Sequence, residues 1–111
     1  MKLVSLDEMK LHLQMDHDED DEDIESKIDQ ASALVLQYME LTEEDFTLDS
    51  NGDPVADSTY SQAFLDVLTA GTTLMTQMLY KGEVTQETLE HGYLPKPVMN
   101  LLYPNRLPAM G

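Results

Sequence analysis

A mainly α-helical fold, a small bundle of about four helices, is what this 111-residue sequence predicts. Three observations carry the expectation. Apolar residues recur at spacings of three and four in separate stretches, Cys is absent, and the one long interruption rich in turn residues lies between the second and third long helices. At this length a single domain over residues 1–111 is expected, burying about two thirds of its unfolded surface. Apolar residues make up 41% of the chain, too many for a sequence that stays disordered in spite of its charge.

Ser5 followed by Glu8 matches the capping box, in which hydroxyl and carboxylate each take up a free backbone N–H at a helix start. Leu6, Met9 and Leu13 then form one apolar stripe, so a short first helix should end near Gln14 or Met15. Ile24, Ile28, Ala31, Val35 and Tyr38, widened by Leu34 and Met39, predict a long second helix from about Asp20 to Glu40. Between the two stripes, eight of the ten residues from Asp16 to Glu25 are acidic and none is basic. The block overlaps the first turns of the second helix, where carboxylates meet the positive end of the helix dipole and are expected to cap it. Each would contribute about 0.3 to 1 kcal/mol, less once they repel one another.

The stretch 42–59 breaks the helical period and fits either a long acidic loop or a small β-hairpin, with Phe46 to Leu48 facing Val55 across an Asn51-Gly52 turn. A third helix is expected from about Ser58 to Lys81, on Tyr60, Phe64, Val67, Leu68, Gly71, Leu74, Met75, Met78 and Leu79, with Gly82 as its stop. Gly71 costs about 1 kcal/mol inside a helix, but with Ala70, Thr72 and Thr73 it permits close approach of another helix. Residues 83–93 are polar, with one further helical turn expected around 85–91. Leu94-Pro95-Lys96-Pro97 then opens a short fourth helix carrying Val98, Leu101 and Leu102, which Pro104 ends.

Charge limits function. Asp and Glu number 22 against 6 Lys and Arg, a formal charge of -16, so phosphate backbones are repelled and direct nucleic-acid binding is not expected. The same acidity serves solubility and favours partners with a basic face. The N-terminus has no basic region followed by a long apolar run, so neither a signal peptide nor a membrane span is expected, and the lack of Cys fits a reducing compartment. Asp16, Asp18 and Asp20 occupy the first ligand positions of a calcium loop, yet Asp21 stands where Gly is needed and Lys27 where the bidentate Glu belongs. Asp49, Asn51 and Asp53 fail the same test at Pro54 and Tyr60, and His12, His17 and His91 form no zinc pair. No metal, cofactor, small-molecule substrate or catalytic set is expected, and the chain reads as a non-enzyme. Met9, Met39, Met75, Met78 and Met99 fall on apolar stripes and read as packing. Leu101, Leu102, Tyr103 and the wide third-helix stripe exceed what a small core absorbs, which points to a homo-oligomer or an obligate partner.

The order of parts resembles the bacteriophage head-tail connector family, whose members are also labelled DNA packaging proteins. The resemblance lies in Leu6-Asp7-Glu8-Met9-Lys10-Leu11-His12-Leu13, the acids from Asp16, then Ile24, Ile28, Ala31 and Tyr38. It continues through Leu79-Tyr80 to a closing Leu94-Pro95, Val98, Leu101-Leu102-Tyr103-Pro104 and Arg106. Two features depart from it. No Thr-Gly-Arg-like turn follows Tyr38, and Lys81-Gly82 stands in place of Asn-Arg. The resemblance implies a virion neck protein, assembled in the host cytoplasm as a ring, expected to be twelve-fold, that joins the capsid portal to head-completion or tail proteins around the DNA channel. On that reading Asp16, Asp18, Glu19, Asp20, Asp21, Glu22 and Asp23 would line the channel or its rim, so that DNA passes without specific binding. The C-terminal segment 94–111 would dock, with Leu94, Pro95, Leu101, Leu102 and Tyr103 as apolar contacts and Arg106 as an ion-pair donor. A rival reading from another class is an acidic regulator that mimics nucleic acid toward a basic protein.

Overall fold

A computed structural model of the chain describes residues 1–84, 90 and 94–105. Four α-helices run through them: α1 (Leu6–Leu13), α2 (Asp21–Met39), α3 (Gln62–Tyr80) and α4 (Lys96–Leu102), with strands β1 (Thr47–Leu48) and β2 (Pro54–Val55) between α2 and α3. The mainly α prediction holds, and the open choice between loop and hairpin resolves to a hairpin. The helical turn expected around 85–91 lies outside the described residues, apart from Glu90.

Helix α1 starts where the Ser5 hydroxyl accepts the Glu8 N–H at 3.1 Å. Its reciprocal bond differs from the expected box, because Glu8 Oε1 accepts from the Ser5 hydroxyl rather than from the Ser5 amide. Helices α1, α2 and α3 close alike. Met15, Leu41 and Glu83 donate their N–H to carbonyls five residues back, around Gln14, Glu40 and Gly82 in the left-handed conformation. This ties up carbonyls that the helix leaves unpaired. Only Gly82 adopts it without a Cβ penalty; Gln14 and Glu40 both sit at φ 60°.

The hairpin pairs Thr47 with Val55 and Leu48 with Pro54. Gly52 alone of the turn takes positive φ, 82°, and Asp49 replaces the second such residue with chemistry: its carboxylate accepts from the N–H of Asn51 and of Asp53. That use of Asp49 makes the Asp49-Asn51-Asp53 run a turn lock. Helix α3 begins four residues later than the periodicity predicts. Asp57 Oδ1 accepts from the N–H of Thr59 and Tyr60, its other oxygen accepts from the Thr47 hydroxyl at 2.6 Å, and Ser61 then caps α3 at Phe64 N. A local side-chain turn thus competes with the helix and wins. Tyr60 keeps its apolar role from outside the helix, stacked 5.1 Å from Phe64 and tilted against Phe46 at 5.2 Å.

The core lies along α2 and α3, the pair with the most extensive contact. Ala31, Val35, Leu36 and Met39 face Leu65, Leu68 and Met75, while Leu94, Val98 and Leu102 close one side. A second cluster, Val4, Met9, Ile24 and Ile28, holds α1 against α2. Buried Ser32 accepts the Leu3 N–H at 3.0 Å and pins the N-terminal segment. The result is a slab of 43 × 36 × 19 Å, about two helices thick.

Gly71 meets α4, as its small size predicts. A Cβ there would stand 2.7 Å from Leu102 Cδ2 and 3.1 Å from its Cγ, and Leu102 is wholly buried. With no solvent to swing into, the Leu102 side chain must repack or α4 must shift. Gly71→Ala should therefore lower stability by about 1 to 3 kcal/mol in urea unfolding, in spite of a propensity gain near 1 kcal/mol. In a Leu102→Ala background the same change should turn neutral or stabilising, and a loss of equal size there would refute the contact as the cause.

Candidate functional site

Two regions carry the residues singled out by the sequence, and each divides into an inner and an outer set. In the acidic block Asp16, Asp18, Glu19, Glu22 and Asp23 are exposed, whereas Asp20 and Asp21 are half-buried. Lys10 reaches out of α1 to the block, with Nζ 2.7 Å from Asp18 Oδ1 and 2.9 Å from Asp21 Oδ1. Its side chain is only 15% exposed, and the Asp21 oxygen it faces is buried. Asp20 Oδ2 accepts the Tyr80 hydroxyl from α3 at 2.7 Å. The expected hydrogen-bonded cap is not formed: Asp20 occupies the N-cap of α2 with no side-chain bond to the helix, because its carboxylate is turned to Tyr80. Asp21, Glu22 and Asp23 still stand in the first turn, where the dipole favours them.

Neither Lys10 nor Tyr80 is conspicuous in the sequence as a partner of this block. Lys10 sits across a helix end from its carboxylates, and Tyr80 lies 60 residues from Asp20, inside an apolar stripe. Lys27 pairs with Asp23 at 3.5 Å within α2, and Lys2 with Asp29 at 2.6 Å. All three lysines beside the acidic face thus hold carboxylates. His12 is exposed but also contacts the Gln77 amide oxygen of α3.

The second region is the C-terminal segment. Leu94 and Leu102 are core residues, 3% and 0% exposed, and in this conformation face no partner. Pro95 is half-buried and its carbonyl accepts the N–H of Val98 and Met99, starting α4. Leu101 is 36% exposed and Tyr103 67%, so these two form the outer edge. Pro104 falls within a 3-10 turn, Tyr103–Asn105, that tightens the end of the helix. Arg106 lies outside the described residues.

Hydrogen bonding to Lys10 holds the Asp18 carboxyl below the usual carboxylate range, while Asp18 and Asp21 push the Lys10 ammonium above its own. The Thr47 hydroxyl, then the backbone N–H groups of Tyr60 and Thr59, hold the Asp57 carboxyl low. The Asp20 hydrogen bond raises the Tyr80 phenol, and burial raises that of Tyr60. No group of three or more metal-ligating side chains occurs among the described residues, and no helix there is long and apolar enough to cross a membrane.

Lys10→Met keeps the apolar stem and removes both ion pairs. Amides of residues 6–13 should then lose hydrogen-exchange protection while those of 65–79 keep theirs; unchanged protection in α1 would show that the clamp does not hold it. The acid response has a defined sign. Asp18 and Asp57 contribute stability that is in place above their unfolded value near about 3.9 and is lost as pH falls through the lower folded values. Lys10 acts in the opposite sense, complete below about pH 10.4, so the clamp opens from the acid side. NMR titration should move the amides of α1 and of 57–60 below about pH 4 before those of α3.

Residues 3–106 match the family model described as phage gp6-like head-tail connector protein. No curated protein and no solved structure matches the chain.

Proposed function

The chain belongs to the phage gp6-like head-tail connector family, and on that premise we propose that it assembles as a homo-oligomeric ring around the DNA channel. It is a structural protein of the phage neck. The ring, read as twelve-fold and assembled in the host cytoplasm, joins the capsid portal to head-completion or tail proteins, without catalysis, cofactor or small-molecule substrate. The observation that carries this reading is the extent of the family match, residues 3–106.

Charge supports the channel placement. Asp16, Asp18, Glu19, Glu22 and Asp23 present carboxylates to solvent, and Lys10 and Lys27, the cations nearest them, are engaged by the same block. A face of this kind offers DNA no cation with which to displace counterions, so each passing phosphate meets repulsion rather than salt-sensitive drag. Asp20 and Asp21 serve the block from beneath, by fixing its position on α1 and α3. In the C-terminal segment Leu101 and Tyr103 are the docking contacts, with Arg106 as ion-pair donor, while Leu94, Pro95 and Leu102 hold α4 where it presents them.

Negative-stain imaging and native mass measurements across concentrations should show closed rings that do not retain duplex DNA at physiological salt. Tight DNA binding by the ring would overturn the channel reading. A stable monomer that instead captures a basic DNA-binding protein would favour the acidic regulator. Leu101→Asp with Tyr103→Asp should abolish ring or portal attachment while helicity stays within about a tenth of the parent, since both side chains are already exposed.

A further inference from the structure

The N-terminal segment, the hairpin and the first turns of α3 enclose an open groove of about 420 Å³, within the range of roughly 300 to 1,000 Å³ usual for binding clefts. Its floor is apolar, from Leu3, Val4 and Leu65, and its rim carries Glu8, Asp53 and Asp66, all exposed. Lys2 also lines it but is held by Asp29 at 2.6 Å, so the rim presents net negative charge.

The edge of α4 has the complementary character. Lys96 and Asn100 are exposed beside Leu101 and Tyr103, and Lys96 makes no ion pair among the described residues. Charge divides along the chain in the same sense. Residues 58–111 hold Lys81, Lys96 and Arg106 against only four of the 22 acids, so this half is close to neutral, whereas residues 1–57 carry 18 acids and three lysines.

Position completes the argument. Gln62, Leu65, Asp66 and Thr69 lie on one face of α3 and line the groove, while Gly71 receives Leu102 of α4. Gly71 lies nine positions beyond Gln62, about two and a half helical turns, so groove and α4 occupy opposite sides of α3. A knob on one side and a matching socket on the other cannot meet within one copy. Between copies they repeat head to tail, the arrangement that closes into a ring when the rotation permits.

We infer that the contact between neighbouring copies is made by the α4 edge, Leu101 and Tyr103 with Lys96, seated in the groove of the next copy against Glu8, Asp53 and Asp66. The inference rests on the ring reading above and names its two faces. Apolar knobs supply the affinity and the charge pair sets the order of the faces, so that like faces do not pair.

The chain has no Cys, so introduced thiols report the contact without background. Tyr103→Cys and Gln62→Cys, mixed as separate proteins under mild oxidation, should give a disulfide-linked dimer of one with the other. A single chain carrying both should give a ladder of linked copies. Ala33→Cys, on the exposed face of α2, is the control for random collision. Separately, Lys96→Glu should raise the concentration for half assembly on the order of tenfold, and Asp66→Lys in the same chain should restore it. Rings seen by native mass without a 103–62 link above the Ala33→Cys control, or a charge swap that fails to restore assembly, would overturn these faces and leave the ring standing. If no rings form at all, the ring reading itself falls, and this one with it.

Discussion

The seam between α2 and α3 is the contact on which the rest of this molecule depends. Val35, Ala31, Leu68 and Met75 are fully buried there, and each larger side chain among them contributes about 1.5 to 3 kcal/mol by leaving water. Everything else is added to that pair. Helix α1 lies at one end over Ile24 and Ile28, the hairpin is tied to the start of α3 by Asp57, and α4 fits where Gly71 lets it approach. None of these smaller elements is long enough to be stable alone in water, since isolated helices shorter than about 12 to 15 residues are marginal.

Electrostatics works against this core as much as for it. With 22 carboxylates and six basic side chains, the folded chain gathers like charge, and Lys2, Lys10 and Lys27 are placed in ion pairs beside the densest part of it. Lys10 shows the consequence most clearly. It bridges the exposed Asp18 and the half-buried Asp21, so one ammonium both joins α1 to α2 and makes Asp21 tolerable in a place where a lone carboxylate would be costly. Tyr80 does the same for Asp20 with a neutral hydroxyl. The acidic face that remains outside is thereby fixed in position without being neutralised.

In the proposed ring the C-terminal segment would join stability to assembly. Leu94, Val98 and Leu102 complete the core, and the same turn of helix sets Leu101 and Tyr103 on the outside. A helix of seven residues can present only a narrow edge, and that edge is held rigid because its inner face is locked against Gly71. If Leu101 and Tyr103 dock as proposed, contacts on such a support would lose little freedom, so their area would convert to affinity with less entropic loss than a mobile arm would incur.

Much of this was legible in the sequence. Spacing alone located the four helices, because one apolar face per helix is a local, periodic requirement. Gly71 announced a close approach, Asn51-Gly52 a turn, and the closing Leu-Pro and Leu-Leu-Tyr-Pro pattern the family. What periodicity misjudged was the start of α3, where Tyr60 continues the apolar spacing and yet lies before the helix, held by Asp57 and Ser61. The left-handed ends at Gln14 and Glu40 gave no signal either, since neither carries the usual Gly or Asn. Tertiary structure alone decided the rest: that Asp20 turns to Tyr80 instead of capping α2, that Lys10 clamps the acidic block, and that Leu102 faces inward while Leu101 faces out. The reason is physical. Helix and strand patterns are written between neighbours in the chain, whereas the partner of a charge or the burial of one leucine depends on which distant surface arrives beside it.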